Sequence, residues 1–174
     1  MSEVILNDLK VVSEQLMQAL SFFSQEQLNV SPPDNGWTAG QVADHLSKAN
    51  GGVLPILYGK TEKSIRRADE KVTQIKNLFL NFSVKFKSAP QIMPSDGVVE
   101  KKIILHELKT KLAALYEAAR ILDLSEICLD VEVPVLGMLT RLEWLYLVCY
   151  HTERHIHQIT NIFEKTVENK YILS

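Results

Sequence analysis

The chain has 174 residues, 46 % hydrophobic and 23 % charged, enough for one domain whose core needs no staples. Its net charge of −2 removes the electrostatic case for nucleic acid as the main partner. The longest apolar run, residues 144–150, is too short to span a bilayer.

The opening MSEVILNDLK lacks the basic-then-apolar layout of a signal peptide. Cys128 and Cys149 form no spacing motif and read as reduced, buried thiols. A soluble, cytoplasmic protein without a membrane partner is therefore expected. No low-complexity tract, fixed-period repeat or linker divides the chain, so residues 1–174 are expected to form a single domain.

Ile5, Leu9, Val12, Leu16, Leu20 and Phe23 recur every three or four residues and predict a first helix over about residues 2–28. The polar, proline-containing stretch 31–36 ends it, and Trp37 follows. Thr38 and Gln41 form a T-x-x-Q capping box, which predicts that a second helix starts at Thr38. It carries Val42, His45, Leu46 and Ala49, with a disturbance expected at Gly51, Gly52 and Pro55.

Residues 59–96 hold the weakest pattern: a short helix over 71–82, then an irregular connection marked by Pro90, Pro94 and a Ser95-Asp96-Gly97 turn. A third long helix is predicted over about 98–122, with Ile104, Leu108, Leu112, Leu115, Ala119 and Leu122 on its apolar face. A brief extended piece is expected at 129–133, where Pro134 and Gly137 argue against helix. A second capping box, Thr140 with Glu143, opens a fourth helix that runs to roughly residue 168. Leu145, Val148, Thr152, His155, Ile159 and Ile162 lie close to one stripe. Four amphipathic helices with little strand signal predict an all-α, antiparallel four-helix bundle with irregular connections, its topology left open.

His151 and His155, spaced i, i+4, place both imidazoles on one face, a turn apart, close enough to share a metal ion. His45, among apolar neighbours on the second helix, is the best candidate for a third ligand. Three histidines with a vacant position are the layout of a catalytic metal site. The competing reading is that of core histidines satisfied by hydrogen bonds. His157 points about 200° away from His155 on an ideal helix, and His106 sits among lysines; neither is expected to ligate. Asp44 and Glu153 read as solvated carboxylates or as outer partners of the histidines, and Cys149 as core. Trp37 reads as an anchor at the helix start, with a pocket-lining role as the alternative.

Two blocks carry a family resemblance. The first is Asn35-Gly36-Trp37-Thr38-Ala39-Gly40-Gln41-Val42-Ala43-Asp44-His45-Leu46. The second starts at Leu136-Gly137-Met138-Leu139-Thr140 and leads into His151-Thr152-Glu153-Arg154-His155-Ile156-His157-Gln158-Ile159. They resemble the Gly-Trp…His-Leu and H-x-x-x-H-x-x-Q-I signatures of the DinB-like (DinB/YfiT-like) superfamily of metalloenzymes. The resemblance implies a triad of one histidine from the second helix and two from the last, which by position are His45, His151 and His155. It implies a divalent metal, which the imidazole ligands and metal availability make zinc or nickel, and a thiol S-transferase or metal-dependent hydrolase acting on a small molecule. A low-molecular-weight thiol is one expected substrate, and a homodimer one expected assembly. A non-catalytic metal-binding or stress-associated bundle is the alternative.

Overall fold

The computed structural model describes residues 2–84 and 87–168. Its element order is helix α1 (Ser2–Ser21), helix α2 (Ala39–Tyr58), strand β1 (Thr61–Glu62), helix α3 (Val72–Phe79), helix α4 (Lys101–Ile121), strand β2 (Ile127–Cys128) and helix α5 (Arg141–Phe163). Four long helices form the bundle, and α3 is an addition on its outside.

The helices form where apolar side chains recur at helical spacing. The five apolar residues singled out on α1, Ile5 to Leu20, are buried, as is Phe23 just beyond its end, and so are Ile104, Leu108, Leu112, Leu115 and Ala119 on α4. The whole stripe of α5, from Leu145 to Ile162, is buried too, including Thr152 and His155. Both capping boxes form. Thr38 Oγ1 accepts from the Gln41 backbone at 3.0 Å while Gln41 Oε1 accepts from the Thr38 backbone at 3.0 Å. Thr140 and Glu143 repeat the exchange at the head of α5, at 3.1 and 2.9 Å. Each cap satisfies backbone donors that the first helical turn leaves unpaired.

The order of packing explains why the connections are long. Helix α1 packs against α4 and α5, and α2 packs against the same two. At the end of α1, Lys101 Nζ at the start of α4 donates to Ser21 O at 3.1 Å, so these two helices run antiparallel. The end of α2 meets the start of α5, where Arg141 Nε donates to Leu57 O at 2.7 Å, so that pair is antiparallel as well. By contrast α2 and α4 run parallel. Gly40 lies against Val99 at their N-terminal ends, and two turns further Ser47 Oγ donates to Glu107 at 2.8 Å. Phe23 meets Phe163 edge-on at the shared C-terminal end of α1 and α5. The topology is therefore up-down-down-up, and residues 59–100 return the chain the full length of the bundle. A Cβ on Gly40 would sit 3.0 Å from Val99 Cβ, so this glycine permits the close approach of α2 to the head of α4.

Several expectations are revised, beyond the tightening of the 71–82 and 98–122 helices to Val72–Phe79 and Lys101–Ile121. Helix α1 ends at Ser21, not near residue 28, because Ser24 and Gln27 exchange side-chain-to-backbone bonds at 2.7 and 3.1 Å and start a separate 3-10 turn, Gln27–Asn29. Helix α2 runs unbroken through Gly51, Gly52 and Pro55. Pro55 is exposed and lies in the last turn, where forfeiting one helical bond matters least. The extended piece forms two residues early, at Ile127–Cys128, because Thr61–Glu62 offers it an antiparallel partner. Helix α5 ends at Phe163 and passes into a π-helical turn, Glu164–Glu168. Among the described residues, no helix is long and apolar enough to cross a membrane.

Candidate metal centre

The antiparallel packing of α2 on α5 sets the depth of the histidines. His45 stands two turns into α2, and His151 and His155 lie in the middle of α5, so the three rings meet inside the bundle. Ring centroids are 5.1 Å apart for His45–His151, 4.7 Å for His45–His155 and 4.6 Å for His151–His155, all edge to face. The Nε2 atom of His151 lies 3.2 Å from that of His45 and 3.0 Å from that of His155. One ring nitrogen from each residue falls within 4.8 Å of the others.

Proton accounting decides what such a cluster can be. The Ile92 carbonyl accepts from His45 Nδ1 at 2.7 Å, which leaves His45 Nε2 as a bare lone pair. Gln158 Oε1 accepts from His155 Nδ1 at 2.8 Å, so His155 Nε2 is bare as well. A neutral His151 can place one proton on Nε2, and it reaches only one of the two neighbours. One pair of nitrogens is left facing each other with no proton between them. A shared cation resolves this without charging rings that burial keeps neutral. Burial pushes the pKa of all three down: His45 below its usual value, His155 to about 4, and His151 well below 6.5, with its histidine neighbours adding to the effect.

The donor set fits a divalent ion. Around a tetrahedral zinc with bonds of about 2.0–2.1 Å, adjacent nitrogens stand roughly 3.3 Å apart, close to the two short separations here. Both outer partners are acceptors for Nδ1–H, the arrangement that orients metal-ligating histidines elsewhere. His45 and His155 are buried and His151 is half-buried as a residue.

Trp37 flanks His45, ring to ring at 5.2 Å, so its position is more than an anchor at the helix start. Phe79 at the end of α3 stands edge-on to His151 at 5.6 Å. Arg154, one turn beyond His151, donates to Phe79 O at 3.0 Å, Asn81 O at 2.9 Å and Val84 O, and so fastens the chain after α3 onto α5. Ile92, Phe79 and Arg154 carry no sequence pattern that marks them as parts of the site. Two of them sit in the segment without periodicity, and a backbone carbonyl leaves no trace in residue type. Gln158 had a signal, since it lies three residues after His155 in the H-x-x-x-H-x-x-Q pattern.

The other candidates fall outside the cluster. His157 is exposed and lies tilted against Phe82, ring centroids 4.3 Å apart, and His106 is exposed on α4. Asp44 accepts from the Ser95 backbone and pairs with Lys48 at 3.0 Å, and Glu153 is exposed. Cys149 is buried, and burial pushes its thiol pKa far up.

Comparison with known proteins bears on fold and family. Residues 9–159 match the DinB superfamily model. The chain is 25 % identical over 147 residues to the uncharacterized protein YuaE of Bacillus subtilis (strain 168), covering 84 % of this chain and 89 % of that protein. It shares its fold with YfiT from Bacillus subtilis, described as a probable metal-dependent hydrolase with an unusual four-helix bundle topology. That likeness has a TM-score of 0.60 at 20 % identity, over 94 % of this chain and 86 % of the other. The four-helix bundle protein TT2238 matches with a TM-score of 0.55 at 16 % identity, over 92 % of this chain and 99 % of the other.

Proposed function

The chain belongs to the DinB superfamily, and from that premise we propose that it is a metal-dependent enzyme holding one divalent ion, zinc or nickel, on His45, His151 and His155. The observation that carries this reading is the convergence of three imidazole nitrogens with too few protons to satisfy one another. When bound, the ion would lower the pKa of a thiol or a water at its vacant position and make it nucleophilic.

The protein's own part is to present the nitrogens. Burial keeps the imidazoles neutral near pH 7, so that their lone pairs are available. Ile92 O and Gln158 hold two rings in the tautomer that aims Nε2 inward. Trp37 and Phe79 give the cluster apolar flanks.

A low-molecular-weight thiol fits this site better than water. Asp44 is engaged by Ser95 and Lys48 and Glu153 is exposed, so neither of these two carboxylates stands ready as a base. A free thiol has a pKa of about 8.5 against about 15.7 for bulk water, so it needs far less help to lose its proton. The thiolate would attack an electrophilic carbon, forming a C–S bond as the leaving group departs with its electron pair. Hydrolysis is supported by the likeness to YfiT, described as a probable metal-dependent hydrolase.

The test is to incubate zinc- or nickel-loaded protein with a generic alkylating electrophile, with and without glutathione, bacillithiol or a related thiol. Thiol-dependent product, lost in a His151→Ala, His155→Ala double variant, is the expected result. Turnover without thiol would shift the assignment to hydrolysis. A metal-loaded protein inert in both assays would leave a non-catalytic metal-binding bundle.

A further inference from the structure

Helix α2 touches the returning chain with three side chains in a row of one turn. His45 Nδ1 donates to Ile92 O at 2.7 Å. Lys48 Nζ donates to Met93 O and to Ser95 Oγ, both at 2.8 Å. Asp44 Oδ2 accepts from Ser95 N at 2.6 Å and pairs with Lys48 at 3.0 Å. The peptide unit that carries Ile92 O is also fixed on its far side, where Met93 N–H donates to Pro90 O at 3.3 Å. The carbonyl that sets the His45 tautomer is thus held in place by the neighbouring side chains of the same helix.

We propose that Lys48 and Asp44 are positioning residues for the metal centre, clamping residues 92–95 so that the Ile92 carbonyl stays on His45 Nδ1. This rests on the metal-binding reading above. Outer partners of ligating histidines typically change metal affinity 10–100-fold when removed, and a clamp one step further out should act at the low end of that range.

Charge and positioning predict opposite signs for Lys48, which makes the inference testable. The Lys48 ammonium disfavours positive charge at His45. If it acted through its charge alone, removing it would tighten binding of a dication. If it acts through the Ile92 carbonyl, removing it weakens binding.

The experiment is titration of the metal-free protein with zinc against a chelator of known affinity, for wild type, Lys48→Met and Lys48→Arg. The expected result is a roughly tenfold weaker dissociation constant in Lys48→Met, partly restored in Lys48→Arg. Unchanged or tighter zinc binding by Lys48→Met would overturn the inference while leaving the metal site intact. Wild-type protein that binds no zinc would instead remove the metal reading itself. A second measurement needs no variant. Amide exchange at Met93 and Ser95 should slow on adding zinc to wild type, whereas equal exchange with and without zinc counts against the clamp.

Discussion

The Glu143 carboxylate receives both terminal nitrogens of Arg66, at 2.6 and 2.7 Å, and is itself fully buried. The same carboxylate accepts from the backbone N–H of Lys71 at 2.8 Å and of Thr140 at 2.9 Å. One side chain therefore caps α5, fixes the head of α3 and joins both to the returning segment. The carboxylate in turn holds the Arg66 guanidinium pKa above its usual value.

Arg66→Met should leave that buried charge without its ion partner. The expected loss is about 3 kcal/mol, and a melting temperature lower by roughly 10 °C for a chain of this size. Thermal unfolding of the variant checks it. A shift of only a degree or two would mean that the backbone donors alone satisfy Glu143.

The metal-free protein should lose stability on mild acidification. His155 has a folded pKa of about 4 against 6.5 unfolded, so between these values the unfolded chain binds more protons and folding weakens as pH falls. This group alone contributes on the order of 3 kcal/mol across that window, with His151 and His45 acting in the same direction. Urea titrations at pH 7, 5.5 and 4.5 read this directly. Equal midpoints at all three would contradict burial of neutral imidazoles.

Gln158→Leu removes the acceptor on His155 Nδ1 without touching a proposed ligand. Metal affinity should fall 10–100-fold while the unfolding midpoint of the metal-free protein moves little. Competition with a chelator measures the first quantity and thermal unfolding the second.

Neither cysteine should behave as a nucleophile in the folded state. Burial pushes Cys128 up to about 11 and Cys149 higher still. A thiol reagent at pH 8 should label both only as the protein unfolds, and fast labelling of the native form would count against this.

How much of this could be read from the sequence depended on whether the signal was periodic. The stripes from Ile5 to Phe23 and from Leu145 to Ile162 predicted their helices because burial of one face repeats every three or four residues. The His151–His155 pair was legible for the same reason. His45 needed a pairing of α2 with α5 that periodicity does not encode, and the family resemblance supplied it. Residues 59–96 stayed opaque because their structure is held by long-range bonds, such as Arg66 to Glu143 and Lys71 Nζ to Leu136 O, which no local pattern announces. That segment also delivers Ile92 and Phe79 to the site. The up-down-down-up order was hidden too, since helix faces alone do not say which pairs run parallel.

The most direct test of the metal centre is an anomalous-scattering map from crystals of protein loaded with zinc, recorded on either side of the zinc edge. The expected result is a single peak about 2.0–2.1 Å from Nε2 of His45, His151 and His155, with Ile92 O and Gln158 still on the two Nδ1 atoms. A peak elsewhere, or no zinc at the three rings in loaded crystals, would contradict it.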